Sequence, residues 1–378
     1  MKIKGINNNR IDSMFKESSI FKKLDSGRKL IIKSGIDPTS SDIHLGHLVG
    51  LLLLRDLQKL GHKVVFILGD FTAQLGDGIN RPKLNLNRTN ENALKLEPFL
   101  RNFFAGGDFE LHKQSEWFEK IPLEKFINLL SEVPVKKLLS HDTFSRQIKK
   151  NNNFHFHEFT YPVFMAFDSI MLKPDIEIGS LEQKFNLQFT RFLMKNHSIE
   201  PEDFILNARL QGIDGSEKMS KSQNNFIGIF EDIDTQIAKI LQIHNDVALN
   251  FLRLLTNKSD KEFKVFTESC DWLKIKKTIV FEVLSLFNPT SKVSFAWNRT
   301  MILKNIRTIK FQEIKHYKLR DFLIHFGEIS SNRDLKRMIE NKAIRVDRKQ
   351  IITADLDCIN LRRNQIIQIG KKLKFRLE

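Results

Sequence analysis

Tyrosine is almost missing from this chain, with 2 residues against 32 phenylalanines. A phenol hydroxyl kept in so phenylalanine-rich a sequence invites a functional explanation. Cysteine is scarce too. Cys270 and Cys358 stand alone with no ligand-like spacing, which fits a reduced, cytoplasmic compartment and makes both thiols inert small side chains. No apolar run approaches the ~18 residues of a membrane span, and the opening MKIKGINNNRIDSMFKESS lacks the hydrophobic stretch of a secretory signal. Neither GxGxxG nor GxxxxGK[ST] occurs, so dinucleotide-fingerprint and P-loop chemistry are excluded.

What is present is ordinary globular material with a strong charge bias. The 378 residues suffice for two or three domains, at 41% hydrophobic and 28% charged. The 61 Lys and Arg against 45 Asp and Glu leave a formal charge of +16, which predicts a polyanionic partner, nucleic acid above all. From Met301 to Glu378 there are 19 basic and 9 acidic residues, so 19 − 9 = +10 of that charge sits in the last segment. Concentration of this kind favours a binding face over compositional drift.

The stretch Lys29 to Asp70 reads KLIIKSGIDPTSSDIHLGHLVGLLLLRDLQKLGHKVVFILGD. An apolar run ends at Gly35 and Pro38. A helical pattern follows, with Leu48, Leu51, Leu52, Leu57 and Leu60 at its spacing; Gly61 then punctuates it, and Val64–Leu68 is a second buried strand. Strand, helix and strand make a right-handed βαβ unit whose ligand lies beyond the carboxyl ends of the strands. His44-Leu45-Gly46-His47 falls where the helix begins. Such helix ends favour anions, and imidazoles at i and i+3 share a face from which both can donate to phosphate oxygens. Gly46 leaves a bare surface for a flat base. Taken alone, the pair is as readily two polar cap residues. A metal pair fits less well, because no third ligand accompanies it, and no metal site is expected.

Far downstream, Gly212-Ile213-Asp214-Gly215-Ser216-Glu217-Lys218-Met219-Ser220-Lys221-Ser222 is a basic, hydroxyl-rich loop suited to gripping a polyphosphate. HLGH after a first strand together with KMSKS at the end of the same domain resembles the paired signatures of class I aminoacyl-tRNA synthetases. Several further segments resemble the tyrosyl branch of that family. These are GIDPTSSDIHLGH, the GDFTxxxGD pattern of Gly69–Asp77, and the YPxxxxxD frame of Tyr161–Asp168. The resemblance covers nearly the whole chain.

That resemblance implies activation of L-tyrosine by ATP and transfer to tRNA(Tyr), with Mg2+ bridging phosphates. Thr39, His44 and His47 would hold the departing phosphates from the helix side, with Gly46 under the base. Lys218, Ser220 and Lys221 would close over them. Asp37 would face the substrate, Asp77 and Tyr161 would hold its ammonium group, and Asp168 would accept a hydrogen bond from its phenol. Gln183 would orient the carboxylate and Glu182 would meet the ribose hydroxyls. The family pattern is broken in places: Met165 stands where a glutamine usually contacts the ammonium, Phe167 where a second Tyr is usual, Glu182 where Asp is usual, and Lys33 where some relatives have Tyr. Tyr161-Pro162-Val163-Phe164-Met165-Ala166-Phe167-Asp168 also resembles the tryptophanyl branch. A tryptophan-specific relative and a catalytically weakened RNA-binding paralogue are therefore the alternatives.

The expected architecture is α/β. Residues 1–225 form a Rossmann-like catalytic domain with a parallel sheet, opened by a short helical lead-in over 1–28. An insertion over about 79–153 has helices at Glu91–Phe104 and Leu123–Leu139 and a short strand at Phe109–Lys113, and by resemblance it builds a homodimer interface. Residues 226–315 form an α-helical domain with a linker from Pro289 and a helical stretch at Ile302–Phe311. Residues 316–378 resemble a small α+β S4-like RNA-binding domain. In it Leu319, Phe322, Leu323 and Phe326 form one stripe, Ser330 or Ser331 caps a second helix, and strands follow at Ala343–Val346 and Ile366–Ile369.

Overall fold

A computed structural model describes residues 2–39, 43–75, 86–139, 156–215, 218–304, 306–327, 329, 331–347, 349–352, 356, 359–363, 365–370 and 373–378. Chain packing divides it into two units, Met1–Val293 and Ser294–Glu378.

The first unit is built on strands β1 (Ile11–Phe15), β2 (Ile31–Ile36), β3 (Lys63–Leu68), β4 (Phe109–Lys113), β5 (Ile176–Gly179) and β6 (Asp203–Asn207), ordered β1-β6-β5-β2-β3-β4. All neighbours pair in parallel except β1, which runs antiparallel to β6 at the edge. From β2 the chain works outward through β3 to β4, then returns to the other side of β2 for β5 and β6. That reversal opens a crevice at the strands' carboxyl ends. Asp37, Gly69–Thr72, Gln114, Gly179–Gln183 and Arg209 all follow strand ends there.

Helix α1 spans Glu17–Leu24 and α2 spans Leu45–Lys59. The central helix α2 buries Leu48, Leu51, Leu52 and Leu57 as its spacing predicts, but Leu60 caps the last turn and is exposed. The lead-in is not wholly helical. Ile11–Phe15 is a strand, because the exposed edge of β6 offers it a hydrogen-bonding ladder that local propensity does not register. The insertion carries α3 (Thr72–Leu75) and α4 (Leu86–Phe103) before β4, then α5 (Ser115–Phe118), α6 (Leu123–Ser131) and α7 (Val135–Leu139). The single helix expected over Leu123–Leu139 is two, parted before Pro134, a residue that disfavours helix in its predecessor. Helices α8 (Phe156–Leu172) and α9 (Lys184–Asn196) follow.

After β6 come α10 (Ile233–Gln242), α11 (Asn245–Leu255), α12 (Asp260–Ser269), α13 (Trp272–Leu284) and α14 (Thr290–Lys304). Pro289 precedes the first turn of α14, a position proline tolerates, so the expected linker begins a helix instead. Cys270 is not an inert packed thiol. It ends α12 with φ 49° and is exposed, its Sγ 3.4 Å from the Thr267 carbonyl. Cys358 lies outside the described residues. No helix among the described residues is long and apolar enough to cross a membrane.

In the second unit, the stretch expected to be helical over Ile302–Phe311 leaves helix after Lys304 and forms β7 (Ile306–Ile309). Its β-branched residues pair in parallel with β11 (Leu373–Leu377). Helices α15 (Phe311–Ile314), α16 (Leu319–Phe326) and α17 (Asn332–Glu340) and strands β8 (Ile344–Val346), β9 (Lys349–Gln350) and β10 (Ile366–Ile369) complete it, with sheet order β7-β11-β10-β8-β9. Leu319, Phe322, Leu323, Leu335, Ile367 and Phe375 lie in its core. Ser331 caps α17 by accepting from the Asp334 N–H, while Arg333, Lys336 and Arg337 face solvent. Ser330 lies outside the described residues.

Candidate active site

The start of α2 fixes two imidazoles. His44 is its N-cap, and its Nδ1 accepts from the Gly46 N–H at 3.1 Å. His47 Nδ1 accepts from the His44 N–H at 3.2 Å, with the ring centroids 4.0 Å apart. A neutral imidazole that accepts at Nδ1 carries its proton on Nε2. The backbone therefore selects the tautomer in both rings and leaves each an Nε2–H donor. Burial first, then His47, Lys221 and Lys218, lower the His44 pKa to about 2. It is thus a neutral donor at physiological pH. A Cβ on Gly46 would lie 2.9 Å from the His44 ring, so only glycine leaves the cap undistorted.

The lysine-rich loop lies against this helix end. The strand-like pairing of His44 with Gly228, a Leu45 N–H to Ile227 carbonyl bond of 3.0 Å and an Ile229 N–H to Ile43 carbonyl bond of 2.7 Å tie the loop's far side to the turn before α2. Met219 is buried and its N–H bonds to the Leu210 carbonyl at 2.9 Å, so the loop is pinned by its apolar residue between two cations. Buried Asn225 ties the two ends of the loop together. Its Oδ1 accepts from the Ser220 N–H at 2.8 Å, and its Nδ2 reaches Asp214 and the Lys218 carbonyl at 3.3 Å. The Ser220 and Ser222 hydroxyls are 3.0 Å apart. Lys218 leans to Glu182 Oε1 at 2.8 Å, and Arg209 reaches the same oxygen at 3.1 Å. Burial would raise the Glu182 pKa, but hydrogen bonds from Lys218, Ser180 and its own backbone bring it to about 2.

On the other side of the crevice a chain of hydrogen bonds links five elements. The Tyr161 hydroxyl on α8 donates to Asp37 Oδ2 at 2.9 Å, and Asp37 Oδ1 accepts from the Thr72 hydroxyl at 2.8 Å. The Thr72 N–H donates to Gln114 Oε1 at 3.0 Å. Gln114 Nε2 then donates to Asp168 Oδ2 at 2.7 Å, while Trp117 Nε1 donates to Asp168 Oδ1 at 3.0 Å. Asp70 holds the turn that carries Gln114 and Trp117, taking the Ser115 N–H at 3.0 Å and its hydroxyl at 2.6 Å. Gly69 is obligatory: a Cβ there would sit 2.0 Å from Asp37 Oδ1. Burial pushes Asp168 up to about 7, against the pull of Lys33, Gln114 and Trp117 and with a further push from Glu177.

Of the residues expected from sequence, Asp37, His44, Gly46, His47, Tyr161, Asp168, Glu182, Lys218, Ser220 and Lys221 all lie on the carboxyl-end side of the sheet or on the loop facing it. Thr39 follows β2, its N–H on the Asp37 carbonyl at 2.7 Å. Gln183 ends the 3-10 turn before α9 and accepts from Asn186 at 2.7 Å. Met165 packs beside Leu187, Phe204 and Leu206. Asp77 lies outside the described residues. Gln114, Trp117, Arg209 and Asn225 were not anticipated. Only the polar Gln114 between a strand and an aromatic turn carried a local signal.

The model of tRNA synthetases class I (W and Y) matches residues 25–296. The chain is 32% identical over 374 residues to the tyrosine–tRNA ligase of Aquifex aeolicus, covering 96% of this chain and 95% of that one. It is 33% identical over 391 residues to that of Dehalococcoides mccartyi, covering 96% and 97%. Among solved structures, its fold is similar to a tyrosyl-tRNA synthetase from Archaeoglobus fulgidus in complex with L-tyrosine (TM-score 0.63, 17% identity, 78% of this chain and 99% of that one). It is also similar to a C-terminally truncated mitochondrial tyrosyl-tRNA synthetase from Aspergillus nidulans (TM-score 0.67, 18% identity, 78% and 92%).

Proposed function

Since the chain belongs to the class I tRNA synthetases for tryptophan and tyrosine, within the tyrosine–tRNA ligases, we propose that its two half-sites divide the reaction between them. The protein activates L-tyrosine with ATP and passes the tyrosyl group to tRNA. The tyrosine carboxylate attacks the α-phosphate, the bond to pyrophosphate breaks, and the mixed anhydride then loses its acyl group to a ribose hydroxyl of the tRNA. The substrate brings its own nucleophile, so the protein supplies position and charge stabilisation.

The Nε2–H groups of His44 and His47 donate to the phosphates from the helix end, with Thr39 beside them. Lys218 and Lys221 add positive charge as pyrophosphate departs, and Ser220 lines their loop. Glu182 receives the ribose hydroxyls, Gly46 leaves room for the base, and Gln183 orients the amino-acid carboxylate. Asp37, Tyr161 and Asp77 hold the ammonium group beside Met165, and Asp168 takes the phenol proton in a hydrogen bond. The groups facing the phosphates are imidazoles and ammoniums, which suits Mg2+ carried on the nucleotide's own oxygens, where it would spread their negative charge. The division into catalytic (1–225), helical (226–315) and S4-like (316–378) parts, the last presenting its basic face to tRNA, belongs to the same proposal. So does a cytoplasmic homodimer formed through the insertion, where Leu123, Ile127 and Val135 stand exposed.

The support rests chiefly on one observation: the loop that carries Lys218 and Lys221 is tied by backbone bonds to the turn from which His44 and His47 present their Nε2–H donors. Tyrosine-dependent exchange of pyrophosphate into ATP, run against tryptophan and phenylalanine, tests it. Exchange with tyrosine alone is expected; none with any of the three would end it.

A further inference from the structure

Behind Asp168 lies a cluster of charges that the reaction does not use. Lys33 on β2 and Glu177 on β5 are register partners on neighbouring strands, and Lys33 Nζ is 2.9 Å from Glu177 Oε2. Lys33 Nζ also donates to the Ser169 hydroxyl, which lies 3.2 Å from Glu202 Oε1. Lys33, Glu177 and Glu202 are 1%, 2% and 0% exposed, so water screens none of them. Buried charge of this kind is costly unless paired. Yet this one ammonium, which reaches α8 at Ser169, is under the influence of three carboxyl groups, Glu177, Glu202 and Asp168.

The imbalance is relieved by a proton. Glu202 Oε2 finds no donor among the described groups. Burial and then the neighbouring Glu177 raise the Glu202 pKa well above the ordinary range, which favours its neutral acid form. Burial pulls the Lys33 ammonium down, but Glu177, Glu202 and Asp168 together outweigh it, and its pKa lies above the usual lysine value. Lys33 therefore stays cationic while Glu202 stays neutral. Asp168 is the group left near the balance point, facing Lys33 and Glu177 on the strands and Gln114 and Trp117 across the pocket. On the far side of Trp117 stands His112, 6.0 Å from the indole by ring centroids and held by Glu110 and Glu116.

Granted the phenol-binding role proposed above for Asp168, we infer that Lys33 is the positioning residue that sets substrate specificity: its ammonium, held by Glu177 and Ser169, keeps Asp168 ionised as the acceptor of the phenol hydroxyl. A carboxylate accepts from a phenol more strongly than a carboxylic acid does. Preference for tyrosine over phenylalanine should accordingly fall as pH drops through about 7, the range to which the Asp168 carboxyl is pushed.

The test is equilibrium binding of tyrosine and phenylalanine from pH 5.5 to 9. Taking their ratio cancels the shared ammonium and carboxylate. Lys33→Met, similar in length but uncharged, should move the midpoint of the ratio upward by about one pH unit and cut the preference at pH 7 by about fivefold, with KM for ATP unchanged. Lys33→Arg should restore the midpoint. Glu202→Gln, which replaces one neutral group by another, should leave it in place, and Asp168→Asn should flatten the profile. If Lys33→Met does not fold, Lys33→Met/Glu177→Met removes both charges and should still move the midpoint up, by less. A folded Lys33 variant without charge whose midpoint stays put overturns the inference while leaving tyrosine activation intact. A wild-type protein with no tyrosine preference at any pH overturns the function proposed above instead.

Discussion

The two sides of the crevice are built on different physical terms. Around Asp168 the polar groups are satisfied before any substrate arrives: buried Thr72, Gln114 and Trp117 and part-buried Tyr161 and Asp37 form one chain of bonds drawn from the end of β2, α3, the β4–α5 turn, α5 and α8. Around His44 the imidazoles are equally fixed, but the charges facing them are not. Lys218 is half exposed and spends itself on Glu182, which is also half exposed. Exposed ion pairs of this type hold their partners weakly. Recognition of the amino acid is thus prebuilt, whereas the charge that stabilises the leaving pyrophosphate must be drawn from a partner that can be given up. Contacts made only in the transition state belong on the second side, where they raise kcat rather than lower KM.

That contrast orders the expected effects of substitution. Asp168→Ala strikes the prebuilt side hardest. Losing a charged acceptor in a dry pocket should reduce the ratio of kcat/KM for tyrosine over phenylalanine by about a hundredfold, measured by competition in pyrophosphate exchange. His44→Ala and Lys221→Ala should each slow adenylate formation by about tenfold or more with tyrosine affinity little changed, as read from single-turnover kinetics. Equal losses in tyrosine binding would erase the contrast. Tyr161→Phe removes one bond to Asp37 and should weaken tyrosine binding about fivefold, with the single-turnover rate at saturation nearly kept. Smallest is Glu182→Asp. Shortening the side chain parts it from Lys218, and KM for ATP should change by no more than about twofold. Between pH 5 and 8, kcat should carry no titration from His44, whose pKa lies at about 2.

The same contrast governs what could be read from the sequence. His44, His47, Lys218 and Lys221 lie in two contiguous signatures, and contiguity is what sequence preserves. Asp168 and Tyr161 were legible through the YPxxxxxD frame, a third contiguous pattern; a scarce hydroxyl and a carboxyl on an apolar helix only drew the eye to it. Gln114 and Trp117 were not, since their meaning comes from β4 being laid beside β3, a long-range pairing. Lys33 and Glu177 sit as single charges within apolar strand stretches, a signal of buried pairing that names no partner until β2 and β5 are placed side by side, and Glu202 is hidden among Glu200 and Asp203. The strand Ile11–Phe15 went unforeseen for the same reason: its ladder is supplied by β6, almost two hundred positions away. Local patterns located the helix carrying the histidines, and tertiary pairing located the pocket that reads the side chain.

Titration calorimetry of tyrosine and phenylalanine into the nucleotide-free protein at neutral pH tests the prebuilt pocket most directly. Tyrosine should bind without ATP, and the wild type should already prefer it over phenylalanine by as much as it does during pyrophosphate exchange. If tyrosine bound only once ATP was present, or if the two amino acids bound alike until then, the pocket would be assembled by the nucleotide and the contrast between the two sides would be false.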